Sequence, residues 1–278
     1  MSLDGAVPWD DRGLTLGDGL FETLLARGGQ LVAFEAHLAR LVAGCGVLGL
    51  PAPEAAAARQ ACEAALAEAG LGAARAAVRL TLTAGSGGRG LDRPPSLAPR
   101  LFATAAAAPR PATPARLAIA ATRRNDASPA ARLKTLAYLD NILARREAQA
   151  AGADEAVMLN TRGEVACAAV ANLIWRRDGR LFTPALGCGV LDGIVRRGLL
   201  AAARDAGEAI AEVAVGRAAL DAADAIVLTN SLVGVRPVDA LDGRALQSGE
   251  LAETLARLVE PLIQGASADP DRLSSPSR

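Results

Sequence analysis

Lys134 stands in the stretch Arg-Leu-Lys-Thr-Leu-Ala-Tyr-Leu-Asp-Asn, residues 132–141. Its amine is a nucleophile able to condense with a carbonyl and, once neutral, to serve as a base. Free lysine titrates at about 10.4, so only a dry setting makes it useful near neutrality. Three other stretches carry groups such an amine could work with. Gly189-Val190-Leu191-Asp192-Gly193-Ile194-Val195-Arg196 sets a glycine turn before a helical pattern. Backbone amides of Ile194 and Val195 at a helix start suit a phosphate dianion; an ordinary loop and a glycine-started helix would read the same way. Thr229-Asn230-Ser231-Leu232-Val233-Gly234 follows the apolar run Ala225-Ile226-Val227-Leu228. Asn230 and Ser231 could therefore line a site at a strand's end, or make a simple Asx or Ser/Thr turn. Arg40, in Glu35-Ala36-His37-Leu38-Ala39-Arg40-Leu41, could grip phosphate with two N–H groups, or decorate a solvated helix. His37, three residues away on the same helix face, reads as a hydrogen-bonded packing residue rather than a catalyst.

Other chemistries are poorly supplied. His37 is the sole histidine, which excludes multi-histidine metal sites and leaves a single base for any hydrolytic triad, with no G-x-S-x-G beside it. Cys45, Cys62, Cys167 and Cys188 form no C-x-x-C pair, so no zinc knuckle or redox motif is expected, and no metal. Acidic and basic residues balance at 30 each, giving no field toward nucleic acid or an anionic membrane. The longest apolar runs, such as 103–108, are too short to span a bilayer. No basic segment followed by an apolar run opens the chain, so cytoplasmic residence is expected.

The elements that must position these groups can be read from periodicity. The 278 residues suit one large or two medium domains. Phe21-Glu22-Thr23-Leu24-Leu25 alternates as a strand, Gly28-Gly29 marks a turn, and Leu31-Val32-Ala33-Phe34 returns. Helices are predicted over 35–48 and 54–69, strands over 78–83 and 101–104, with a glycine-rich loop at 85–90. The small, proline-rich stretch 105–114 reads as a linker between a domain over 1–104 and one over 115–266, and 267–278 as a disordered tail. In the second domain strands are predicted near 116–122 and at 155–159, 165–167, 172–176, 180–183 and 225–229. Helices are predicted over 133–151, 193–206 and 249–263. Lys134 would then head a helix, with Tyr138 four residues on along its face.

Taken in order, Gly17-Asp18-Gly19-Leu20-Phe21-Glu22-Thr23, His37-Leu38-Ala39-Arg40-Leu41, Lys134–Asn141, Ala171-Asn172-Leu173-Ile174-Trp175 and Leu191-Asp192-Gly193-Ile194-Val195-Arg196 resemble the class IV aminotransferases, the fold-type IV pyridoxal phosphate enzymes. The likeness runs from about residue 13 to 240. Thr229–Val238, Gly87-Gly88-Arg89-Gly90 and Ser128-Pro129 resemble the lyase branch of that family more than its branched-chain or D-amino acid branches. The resemblance implies an α/β (α+β) fold, with a small N-terminal α+β domain, a larger C-terminal α/β domain and the cofactor, pyridoxal 5'-phosphate, between them. It implies a homodimer and a small-molecule amino substrate. Lys134 would carry the cofactor; Arg40, the amides of Ile194 and Val195 and the Ser231 hydroxyl would hold its phosphate, with Asn230 beside them. Thr23 would orient or protonate the leaving enolpyruvyl group. Tyr138 would touch the phenolic oxygen or simply pack. Arg79 and Arg89 would take substrate carboxylates or be ordinary surface charge. The lyase branch implies elimination of pyruvate from 4-amino-4-deoxychorismate to give 4-aminobenzoate. Transamination of small D- or branched-chain amino acids stays open, as does a redirected or non-catalytic paralogue.

One position departs from the family pattern. The family places a glutamate five residues before the asparagine that is here Asn172, and this chain has Cys167 there. Glu164 is three residues earlier, on a turn, and an odd offset turns it to the other face of a strand. A carboxylate at that place keeps the cofactor's ring nitrogen protonated by opposite charge, whereas a thiol is a weak hydrogen-bonding group. Cys167 thus leaves the ring a poorer electron sink, which weakens transamination more than elimination, where a leaving group departs as the carbanion forms.

Overall fold

Strand β1 (Gly19–Arg27) carries the alternation seen in the sequence. Leu20, Leu24 and Ala26 enter one apolar core, while Phe21 and Thr23 turn to the other face, as a period of two requires. Around β1 the order is β2–β1–β3–β4, all antiparallel, with β2 at Gln30–Leu31, β3 at Arg75–Thr83 and β4 at Arg100–Ala107. Short α1 (Arg12–Leu16) precedes the sheet. Helices α2 (Phe34–Leu48) and α3 (Ala55–Glu68) cover its apolar face. On α2, Phe34, His37, Leu38, Leu41 and Cys45 are buried, the stripe of an amphipathic helix. Gly44 lets α2 approach closely: a Cβ there would lie 2.9 Å from Leu20 Cδ1.

The computed structural model describes residues 7–111 and 113–264, so the segment read as a disordered tail lies outside the described residues. The chain divides into two compact units. The first runs to Pro109 and also takes in Leu133–Ala137; the second holds Arg110–Arg132 and the described chain from Tyr138 onward. Strand β4 continues to Ala107, three residues into the stretch read as linker.

The second unit is built on a nine-stranded mixed sheet of order β10–β9–β8–β11–β12–β5–β6–β7, with β13 on β12. Its strands are β5 (Ala115–Ile119), β6 (Glu155–Leu159), β7 (Val165–Ala168), β8 (Asn172–Arg177), β9 (Arg180–Pro184), β10 (Ile210–Val213), β11 (Ala225–Asn230), β12 (Gly234–Leu241) and β13 (Arg244–Ala245). Its helices are α4 (Leu139–Ala150), α5 (Ile194–Asp205), α6 (Ala218–Asp221) and α7 (Gly249–Gln264). Alternate residues of β11 enter different cores: Ile226 and Leu228 pack with Trp175, while Ala225 and Val227 pack under α5 and α7.

The helix predicted over 133–151 is corrected: α4 begins only at Leu139. Residues 133–137 instead add to the sheet of the first unit. Phe21 N–H donates to the Lys134 carbonyl at 2.9 Å, Leu136 N–H donates to Gly19 O at 3.1 Å, and Thr135 bridges Leu20. The free edge of β1 there demands backbone partners, and that demand overrides the helical spacing. Strand β12 escapes the periodic reading because Pro237, opposite Val227, lacks the N–H of a strand residue.

Leu24 is fully buried at the centre of the first unit's core. Leu24→Ala is expected to lower the unfolding free energy by about 2–5 kcal/mol, measured by urea denaturation with the slope unchanged.

Candidate active site

The antiparallel pairing of Lys134 with Phe21 sends both side chains to the sheet face opposite α2. The amine lies over the Phe21 ring, 4.4 Å from its centroid. On the same face the Arg79 guanidinium lies 3.6 Å from that centroid. Arg79 pairs with Thr23 across β1 and β3, so Lys134, Phe21, Thr23 and Arg79 form one patch. Cations over an aromatic face are attracted by its quadrupole, and Phe21, only 5% exposed, is a fixed platform for both.

The next residue of β1, Glu22, turns to the α2 face and is 1% exposed. Its Oε1 accepts from Arg40 Nε at 2.8 Å, and its Oε2 accepts from the other arm of the guanidinium at 2.6 Å and lies 2.7 Å from His37 Nδ1. Burial opposes the Glu22 charge, but the Arg40 guanidinium and the His37 ring more than offset it, and the carboxyl is held below the usual range. His37 is pulled below its ordinary value by burial and by the positive charges of Arg40 and Lys134, against the Glu22 carboxylate. At neutral pH the ring is therefore neutral, and with an ionised carboxylate opposite, the Nδ1 proton must belong to His37. Arg40 is thus held in the carboxylate's grip on the α2 side of β1, and the Lys134 charge acts on the same cluster through His37. Sequence reasoning did not single out Glu22. The signal was there: it occupies the phase of Leu20 and Leu24, where an acidic residue has to be buried and paired.

Arg89 is exposed on the glycine-rich loop. That loop is held by buried Arg12, whose guanidinium donates to the carbonyls of Asp92 at 3.1 Å and Leu91 at 3.0 Å. Arg12 Nε also donates to Asp18 Oδ2 at 2.9 Å, and Arg93 pairs with the same carboxylate. The two arginines hold Asp18 below the usual carboxylate range, hydrogen bonding from Arg93 being the larger cause.

In the second unit, helix α5 begins at Gly193 with no side chain capping it, which leaves the amides of Ile194 and Val195 at a positive helix end. Gly193 sits where a Cβ would fall 2.0 Å from Asn172 Oδ1. Asn172 in turn donates to Leu191 O at 2.9 Å. Arg196 fixes the first turn of α5, donating to Pro184 O at 3.0 Å and pairing with Glu212. Beside Asn172 in the sheet, Thr229 is fully buried, and its hydroxyl oxygen has no hydrogen-bond partner among the described residues. Asn230 makes the Asx turn left open above: its Oδ1 accepts from Leu232 and Val233 N–H, and its amide donates to Val170 O. Ser231 is half-buried in that turn. Tyr138 precedes the first turn of α4, so the helical spacing that related it to Lys134 is corrected.

Cys167 is buried in β7 opposite Met158. Burial pushes its thiol up; Arg124 draws it down and Glu155 adds to the rise, leaving a neutral S–H near neutrality. No cluster of three or more His, Cys, Asp or Glu able to hold a metal occurs among the described residues.

The two units thus present an α+β fold with an amine, paired arginines and an uncapped helix start. Residues 19–241 match the family model described as amino-transferase class IV, and the chain belongs to that family. The aminodeoxychorismate lyase of Bacillus subtilis (strain 168) is 34% identical over 147 residues, 51% of this chain and 49% of that protein. The chain spans about half the length of the first curated relatives it matches. Among solved structures, the 4-amino-4-deoxychorismate lyase of Pseudomonas aeruginosa is 36% identical, covers 94% of this chain and 97% of that one, and superposes with a TM-score of 0.80. A hypothetical aminotransferase from Mycobacterium tuberculosis in its PLP-bound form is 28% identical, covers 96% of each chain and gives a TM-score of 0.82.

The shifts of Glu22 and His37 are both downward, so in acid the unfolded chain binds more protons than the folded one and stability falls with pH. The His37 part is complete above the ordinary histidine value of 6.5 and erodes as pH drops through it toward the depressed folded value. The Glu22 part erodes below 4.5. His37→Gln should flatten the fall in urea midpoint between about pH 7.5 and about pH 5.5 and leave the lower step in place.

Proposed function

We propose that this chain is a pyridoxal phosphate-dependent lyase that eliminates pyruvate from 4-amino-4-deoxychorismate to give 4-aminobenzoate. The observation that carries the reading is the shared face of β1, where the Lys134 amine and the Arg79 guanidinium both rest on Phe21. A substrate bearing an amine and a carboxylate needs both groups. The end-to-end likeness to the P. aeruginosa lyase supports the substrate class.

Each unit offers groups whose chemistry suits pyridoxal phosphate. Lys134 suits its aldehyde. The uncapped start of α5, with no room for a Cβ at Gly193 and a partnerless hydroxyl at Thr229 nearby in the sheet, suits a phosphate. When bound, the group supplies an electron sink for the carbon attached to the substrate nitrogen. Lys134 holds the cofactor, then takes the proton from that carbon and returns one later. Arg40, Ile194, Val195 and Ser231 bind phosphate, with Asn230 shaping the turn that carries Ser231. Arg79 and Arg89 orient substrate carboxylates. Thr23 is placed in sequence beside that work and donates to the leaving enolpyruvyl oxygen. Cys167 offers the ring nitrogen a neutral thiol, a condition that favours departure of a leaving group over reprotonation. Tyr138 packs or touches the phenolic oxygen. A homodimer accords with the exposed Trp9, Leu14 and Leu91 of the first unit, apolar surface that a second copy could cover.

Transamination of a small amino acid is the second reading, favoured by the comparable likeness to the M. tuberculosis protein. The two are separated by products. With aminodeoxychorismate, pyruvate and 4-aminobenzoate should appear together in equal amounts, whereas amino donor and keto acceptor pairs should give little exchange. Activity only in the second assay would overturn the lyase reading. Borohydride reduction followed by peptide mapping should label Lys134, and Lys134→Ala should lose both the yellow colour and turnover; colour retained in that variant would exclude it as the attachment point. Cys167→Glu should leave the ratio of amino exchange to elimination within about twofold, since burial and the neighbouring Glu155 keep a carboxyl there neutral; a tenfold rise in exchange would show that a charged carboxylate forms at that place and would overturn the reading of these surroundings as suited to a neutral group.

A further inference from the structure

Arg40 does not reach its place as a free side chain. Glu22 holds it through two parallel N–H···O contacts, at 2.8 Å and 2.6 Å, and such a fork fixes the plane as well as the position of a guanidinium. Glu22 is itself fixed, because it is 1% exposed in a β-strand and its Oε2 also lies 2.7 Å from the Nδ1 of a histidine that is 2% exposed. His37 and Arg40 lie three apart on α2, so one helix face presents both donors to one carboxylate. Leu20 and Leu24 flank Glu22 on the same face of β1, and the apolar layer around it leaves the carboxylate few alternatives to these partners. The same layer makes the cluster costly to build, and a solvated surface arginine would need none of it.

Resting on the reading that Arg40 binds the cofactor's phosphate, we propose that Glu22 and His37 are positioning residues for that grip: His37 orients Glu22, and Glu22 locks the Arg40 guanidinium before the phosphate arrives. Neither touches the cofactor. Preorganisation of this kind raises affinity by removing the ordering cost of a long side chain at the moment of binding. It acts only on a ligand that has the phosphate.

That selectivity supplies the test. Equilibrium binding of pyridoxal phosphate and of pyridoxal, which lacks the phosphate, is measured by absorbance titration of purified wild type, Glu22→Gln, Glu22→Asp, His37→Gln and His37→Leu. Glu22→Gln should weaken pyridoxal phosphate binding by about tenfold or more and leave pyridoxal binding unchanged. Glu22→Asp keeps the charge but shortens the reach, and should show the same selective loss, so the result does not hang on one variant folding. His37→Gln, whose amide can still donate to Glu22, should retain most of the affinity that His37→Leu loses. Equal losses for both aldehydes, or no loss in either Glu22 variant, would overturn the proposal by making the cluster merely structural. A wild-type protein that binds neither aldehyde would instead overturn the pyridoxal phosphate reading itself.

Discussion

The backbone pairing between β1 and residues 133–137 is the constraint on which the candidate site rests. A lysine amine on a flexible four-carbon stem has many places to go. Here its backbone carbonyl is tied to Phe21 N–H, and the pairing fixes which face of the sheet the stem leaves from. Phe21 then gives the amine an apolar ring to lie on, and Arg79 occupies the same ring. Five residues from the middle of the sequence return to the first unit, while those on either side belong to the second.

Strand alternation then divides the labour of β1. One face carries Phe21 and Thr23; the other carries Glu22 between leucines. A period of two lets a single strand carry an amine-bearing patch on one face and a buried carboxylate with its partners on the other. The sealed side tolerates its charges because each is paired: Glu22 takes up three donors, and His37 stays neutral. The glycine-rich loop follows similar logic at a different scale, with buried Arg12 satisfying the loop's carbonyls where no secondary structure could.

Most regular elements were legible from periodicity, because their buried faces are local patterns. Helices α2 and α3 and strands β1, β3, β6 and β8 fall within a few residues of their predicted spans. What escaped was set by distant partners. Residues 133–137 carry helical spacing, yet the open edge of β1 some 115 positions earlier ties them down as an isolated antiparallel bridge at Thr135. Glu22 falls in the apolar phase of Leu20 and Leu24, but the partners that make its burial tolerable, Arg40 and His37, come from α2. The candidate residues Lys134, Arg40, Ile194 and Val195 were recognisable as types along the chain, but what each one packs against was a property of the fold: Phe21 under Lys134, and Glu22 on Arg40.

The substitution at Cys167 bears on how such a chain would divide its reactions. A thiol raised by burial donates weakly and carries no charge at neutral pH. Restoring charge there would not be simple, because Glu155 already acts on Cys167 as a second acidic group, and burial raises its own carboxyl despite Arg145. Arg124, the one cation acting on Cys167, is engaged elsewhere, donating to Gly189 O at 3.1 Å and Asn141 Oδ1 at 3.1 Å. A carboxylate at position 167 would therefore stand between an occupied arginine and a neighbouring acid. The surroundings are consistent with a neutral side chain rather than with a vacancy awaiting a glutamate. On the proposed reading, an environment adapted to a neutral group beside the ring nitrogen suits a reaction whose driving force comes from its own product, and aromatisation to 4-aminobenzoate is such a reaction.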